Sequence, residues 1–202
     1  MDRATCVDNM RRILEPAQRH GFFVRIDMEN SQWTALTLDV FETLWEQQYR
    51  NVGVALQAAL YRSEQDARRM NELGARVRLV KGAYKEPESV AHQQKADVDA
   101  AFRRLMRVLL DAGTYPAIAT HDPAIIDDTR EYARQRGIDH SAFEFQMLYG
   151  IRRDLQASLA AAGYGVRLYI PFGRQWFPYF MRRLGERPAN VAFVLRGILR
   201  ER

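Results

Sequence analysis

One cysteine, Cys6, is all that the 202 residues contain. It can form no internal disulfide, and alone it makes no zinc site, so the composition points to a reducing compartment and to no structural metal. Long apolar runs are also missing: none approaches the ~20 residues that span a bilayer. The opening segment, MDRATCVDNMRRILEPAQ, carries charge where a secretory signal needs an apolar stretch. The expected location is the cytoplasm, with peripheral contact at the inner face of the membrane left open. No block of five or six like charges occurs either. The formal charge is +5, but 30 basic residues are interleaved with 25 acidic ones along the whole chain. With no recognisable nucleic-acid-binding motif, that charge reads as the solvated faces of helices.

What is present is a regular alternation. Short runs rich in Val, Ile, Phe and Tyr stand at 22–26, 52–57, 77–80, 117–120, 143–146 and 166–170. Such runs suit buried parallel strands. Between them lie stretches of helical periodicity. Leu36, Val40, Phe41 and Leu44 share one face of a helix over 34–48. Val98, Phe102, Leu105, Val108 and Leu109 do so over 88–110. Ser63 and Asp66 suggest a loose capping box at the start of a helix over 64–73. Pro123 opens another helix and Gly137 closes it, and Gly74, Gly113 and Gly163 close three more. The strand spacings match βα repeats.

Six such units fit an α/β fold, either a TIM-type barrel or an open doubly wound sheet. No G-x-G-x-x-G follows the first strand, which removes the simplest dinucleotide-binding reading. A closed (β/α)8 barrel has eight strands in roughly 250 residues. The expectation is a single domain over 1–202 that opens inside a helix (7–20); read as a barrel, it lacks its first two strands.

In a barrel the C-terminal strand ends carry the site. Here those ends read Asp27 and Glu29, Gln57, Arg78 and Lys81 followed by Tyr84, Thr120 and His121, Gln146, and Tyr169. A second concentration is WFPYFMRRLGE at 176–186. At helical spacing its Tyr179, Arg182, Arg183 and Glu186 fall on adjoining parts of one surface. Paired arginines suit a planar carboxylate. By spacing alone, the segment fits a substrate clamp or an amphipathic surface helix with an internal ion pair.

The segments RIDME (25–29), VRLVKGAYKEP (77–87), ATHD (119–122), FEFQMLYG (143–150), RLYIPFG (167–173) and YFMRRLGERPAN (179–190) resemble, in that order, the motifs of the proline dehydrogenase family. The likeness extends over nearly the whole chain, and RLVKGAY and YxxRRLxE are its specific parts. It implies a distorted (β/α)8 barrel with FAD at the strand ends and a final helix across the mouth. It further implies oxidation of L-proline to pyrroline-5-carboxylate by hydride transfer to flavin N5, with quinone as the next electron acceptor. Matched position by position, Arg182 and Arg183 correspond to the clamp on the proline carboxylate, and Glu186 to the partner that orients them. Tyr169, Tyr179, Leu148, Asp27 and Tyr84 correspond to the walls of the substrate pocket. Gln57, Arg78, Val80, Gly82, Thr120, His121 and Gln146 correspond to FAD contacts, with Arg78 near the N5 edge. Tyr169 crowds the proline ring in this family, so the sequence favours proline over hydroxyproline.

The family's lysine on the second barrel strand has no counterpart in the chain. Two other readings stand beside the enzyme: an inactive remnant serving as a binding or assembly module, and a barrel lyase using Lys81 as a Schiff-base nucleophile.

Overall fold

The computed structural model describes residues 2–174 and 176–178. Within them, helices and strands alternate without exception: α1 (Arg3–Arg19), β1 (Val24–Ile26), α2 (Ser31–Glu46), β2 (Val52–Gln57), α3 (Ser63–Leu73), β3 (Val77–Val80), α4 (Lys95–Ala112), β4 (Ala117–Ala119), α5 (Pro123–Arg136), β5 (Glu144–Leu148), α6 (Arg153–Ala161) and β6 (Gly165–Tyr169). A single 3₁₀ turn, His140–Ala142, leads into β5. The strands pair in sequence order, every pair parallel. The sheet curls as part of a barrel, with the helices on its outer side.

The register explains why one face is apolar. Val54 pairs with Val77, Leu79 with Ile118, and Ile118 with Phe145. Because side chains alternate across a strand, these residues share the outer face. Val54, Val77, Leu79, Ile118, Phe145 and Met147 are all buried. The helices meet them with stripes of their own, such as Phe102, Leu105, Met106 and Leu109 on α4 at i, i+3, i+4 and i+7. Phe143, Phe145 and Tyr164 add edge and tilted ring contacts at 5.4–5.8 Å between centroids.

Helix ends follow local chemistry. Asp2 caps α1 by accepting from the Thr5 N–H at 2.8 Å. Asp122 caps α5 ahead of Pro123, and Gly137 ends that helix in the left-handed conformation.

Three local expectations fail. Ser63 makes no capping box: its hydroxyl donates to the Gln57 carbonyl at 2.5 Å, while Asp66 takes the Arg62 guanidinium instead. Residues 88–94 form a loop rather than the start of α4. It is fastened to the β2–α3 connection, where the Tyr61 N–H donates to the Val90 carbonyl and the His92 N–H to that of Ala59. Gly113 follows α4 in extended conformation, so it closes the helix without the left-handed turn. Among the described residues, no helix is long and apolar enough to cross a membrane.

Candidate active site

The other face of the same strands is polar. Register places Arg25 opposite Gly53, Ala55 opposite Arg78, Gln57 opposite Val80, Arg78 opposite Ala117, Ala117 opposite Glu144, Gln146 opposite Arg167, and Leu148 opposite Tyr169. These residues therefore line the inner side of the curl. At the C-terminal strand ends they open into a cleft of about 670 Å³, lined by Asp27, Gln57, Arg78, Val80, Lys81, Gly82, Tyr84, Thr120, His121, Gln146, Leu148 and Tyr169, among others. All eleven site residues predicted from sequence that fall within the described residues are in that lining: Asp27, Gln57, Arg78, Val80, Gly82, Tyr84, Thr120, His121, Gln146, Leu148 and Tyr169. Tyr179, Arg182, Arg183 and Glu186 lie outside the described residues.

Arg78 is the hub of the cleft. Its Nε donates to Gln146 Oε1 at 2.6 Å, and its Nη1 is hydrogen-bonded to the Asp27 carboxylate. The Arg78 side chain is 15% exposed, whereas Asp27 stands largely in solvent at 55%. Arg78 reaches Gln146 over an intervening strand because β4 offers only Ala117 and Ala119 on this face.

Gln57, almost fully buried, donates from Nε2 to the Glu29 carbonyl at 2.7 Å, tying β2 to the loop after β1. Tyr84 is hydrogen-bonded through its hydroxyl to the Glu29 carboxylate. The His121 ring is fixed by the Leu148 N–H, which donates to Nε2 at 2.8 Å. Nε2 is thus an acceptor, and the ring proton belongs on Nδ1. Thr120 Oγ1 accepts from the Asp122 N–H at 3.1 Å and shapes the turn into α5.

Gly82 adopts φ +109°, and a Cβ there would stand 3.2 Å from both Gln57 Oε1 and Ala59 Cβ. Only glycine holds that conformation readily, and it brings bare backbone to the cleft wall.

Lys81 has another job. Its ammonium lies 2.9 Å from Asp122 Oδ2 and is also bonded to Asp99, which Lys95 contacts as well. Burial alone would raise the Asp99 and Asp122 carboxyls, but hydrogen bonds and charge from Lys81 and Lys95 outweigh it and hold both low. The amine is a tie between β3 and the starts of α4 and α5. The lyase reading, which needs it as a nucleophile, loses its reagent.

Sequence reading missed three further polar residues of this face: Arg25, Glu144 and Arg167. Glu144 is buried at 5% exposure. Arg167 grips it twice, at 2.8 and 2.9 Å, and Tyr115 donates to it at 3.3 Å. Arg25 donates to the Val54 and Arg76 carbonyls at 3.0 and 2.5 Å. Burial, reinforced by the like charge of Arg78, pushes its guanidinium down to about 9. Gly53 gives it room, since a Cβ there would sit 2.8 Å from Arg25 Nη1. A signal was available: Glu144 and Gln146 alternate with Phe143, Phe145 and Met147, the period-2 mark of a strand with one polar face.

A curled parallel sheet with helices outside and a polar cleft at its C-terminal strand ends defines an enzyme scaffold of the α/β-barrel class. The comparisons with known proteins take this further. The family model described as proline dehydrogenase matches residues 4–196, and the chain belongs to that family. It is 50% identical over 193 residues to a proline dehydrogenase of Deinococcus radiodurans, an alignment covering 95% of this chain and 62% of the relative. It is 45% identical over 201 residues to proline dehydrogenase 2 of Bacillus subtilis strain 168, covering 100% of this chain and 66% of the relative. The chain thus spans just under two thirds of the length of these relatives. Among solved structures, proline utilization A from Bdellovibrio bacteriovorus, inactivated by N-propargylglycine, superposes with a TM-score of 0.83. It is 30% identical, with coverage of 90% of this chain and 22% of that one.

Proposed function

We propose that this chain forms, over 1–202, a dehydrogenase domain that oxidises L-proline to pyrroline-5-carboxylate with FAD and hands the electrons on to a quinone. The observation that carries this reading is the meeting, in one cleft, of every described residue that the family resemblance assigns to cofactor or substrate.

The cleft suits the cofactor. Its volume lies in the range of small-molecule sites, roughly 300–1,000 Å³. Its polar lining offers what the rim of an isoalloxazine needs: a guanidinium (Arg78), two amides (Gln57, Gln146) and an imidazole of fixed tautomer (His121). The glycine at 82 clears one wall. Gln57, Arg78, Val80, Gly82, Thr120, His121 and Gln146 would hold FAD. When bound, FAD supplies the two-electron acceptor for the hydride that leaves C5 of proline.

The chain supplies position and charge. Arg78 places positive charge in the cleft, where it favours the extra negative charge of a reduced cofactor. Asp27 and Gln146 hold that guanidinium from two sides. Leu148 and Tyr169, paired across β5 and β6, form the apolar wall for the pyrrolidine ring. Tyr84, tied to Glu29, closes another side. Arg182 and Arg183, oriented by Glu186 and flanked by Tyr179, would take the carboxylate and fix the ring in a reactive pose. The expected setting is the cytoplasm, with quinone reached at the inner face of the membrane.

The test is to load the protein with FAD and add proline without oxygen. Loss of the visible flavin absorbance on adding proline supports the reading. A colourless protein that takes up no FAD overturns it and favours an assembly module.

A further inference from the structure

Glu144 is a buried carboxylate to which the proposed chemistry assigns no part. It lies below the cleft, two residues before Gln146 on the same face of β5. Its partner Arg167 is largely exposed, and a pair of this kind adds little to stability, because desolvation of the carboxylate offsets most of the attraction. Its contacts point elsewhere. Gln146 Nε2 donates to Glu144 Oε1 at 2.5 Å, while Gln146 Oε1 accepts from Arg78 Nε at 2.6 Å. Arg167 spans both oxygens of the carboxylate, sharing Oε1 with Gln146, and Tyr115 donates to Oε2.

A primary amide has two ends of nearly equal size and opposite hydrogen-bonding character. Turned over, Gln146 would set its NH2 against the guanidinium, donor against donor, and its oxygen against the carboxylate, acceptor against acceptor. An ionised Glu144 can only accept, so it permits one orientation. The bidentate contact from Arg167 keeps the carboxylate ionised and in place. Burial pushes Glu144 up, and its bonds to Arg167 and Gln146 outweigh that push and leave it low.

We propose that Glu144, held by Arg167 and Tyr115, is a positioning residue: it locks the Gln146 amide so that Arg78 presents a fixed guanidinium to the cofactor. The role in turnover rests on the reading that the cleft binds FAD; the lock itself does not. Glu144→Gln removes the acceptor-only partner while keeping shape, and Glu144→Asp keeps the charge.

Two measurements on the full chain separate the layers. The first is the Arg78 Nε–H resonance in ¹⁵N spectra without cofactor. In the wild type it is sharp, in Glu144→Gln it shifts and broadens, and Glu144→Asp restores much of the wild-type signal. The second is the rate at which proline reduces bound flavin. Glu144→Gln lowers it about tenfold (about 1.4 kcal/mol), with the KM for proline within about twofold. An unaltered Arg78 resonance in Glu144→Gln overturns the lock. A resonance that shifts, with flavin reduction at the wild-type rate, overturns the role in turnover. A shifted resonance in a chain whose wild type takes up no FAD leaves the lock standing and removes the flavin reading alone. Should Glu144→Gln not fold, Arg167→Lys, which loosens the same carboxylate, is read by the same two signals.

Discussion

The outer and inner faces of the six-stranded sheet share a backbone, yet they are built to opposite rules. Phe145 and Gln146 are adjacent in β5, both nearly without solvent exposure. Phe145 looks outward into rings and aliphatic side chains, where any apolar shape of the right volume serves. Gln146 looks inward to a guanidinium and a carboxylate, where the orientation of a single amide decides whether contacts attract or repel. The period of two in a strand lets one element do both jobs without compromise. Burial alone therefore does not distinguish a residue that holds the fold from one that prepares the site.

The comparison is tested hardest by exchanging adjacent residues. Phe145→Ala leaves a cavity on the outer face and should cost about 3–5 kcal/mol, read as a lower denaturation midpoint. Gln146→Leu, one position on, should keep that midpoint within about 1 kcal/mol and weaken FAD binding about tenfold or more. Equal losses of stability from the two would erase the distinction between the faces.

Next in size is the ion cluster at the rim. Lys81→Met leaves two partly buried carboxylates short of a cation and should cost about 3 kcal/mol near neutral pH. The folded Asp99 and Asp122 titrate below their ordinary values. Their contribution is full above the unfolded carboxylate pKa of about 3.9 and is lost as pH falls through the lower folded values. An acid titration of stability should accordingly be steep in the wild type and shallower in Lys81→Met.

Smaller still, Gly82→Ala strains a backbone at φ +109° and crowds Gln57. We expect about 1–2 kcal/mol from the strain and weaker FAD uptake. Normal uptake would show that the cofactor does not approach this wall. The mildest effect is on pH: proline must lose its amine proton before hydride leaves, so turnover should rise with pH under conditions that keep the fold intact. A flat profile would place the deprotonation outside the slow step.

Much of this was legible in the sequence. The β2 and β3 boundaries coincide with the reading from composition, because a buried parallel strand is apolar on its helix side and short. The strand-end residues were legible because the barrel rule and the family motifs point to the same positions. The start of α4 was not, since residues 88–94 have helical composition and are held as a turn and loop by backbone hydrogen bonds to Ala59 and Tyr61. Those partners are remote in sequence, and propensity cannot see them. Ser63 fails as a cap for a nearer reason: its hydroxyl is taken by the Gln57 carbonyl at the end of the preceding strand. Glu144 and Arg167 escaped because each looks like surface charge until the register pairs their strands.

Amide hydrogen exchange with and without FAD addresses the central claim most directly, because it locates the cofactor without requiring turnover. The account predicts slower exchange confined to the strand ends and the loops after them: 26–29, 57–59, 80–84, 119–122 and 146–149. Protection instead confined to the outer helices, or none anywhere at saturating FAD, would contradict it.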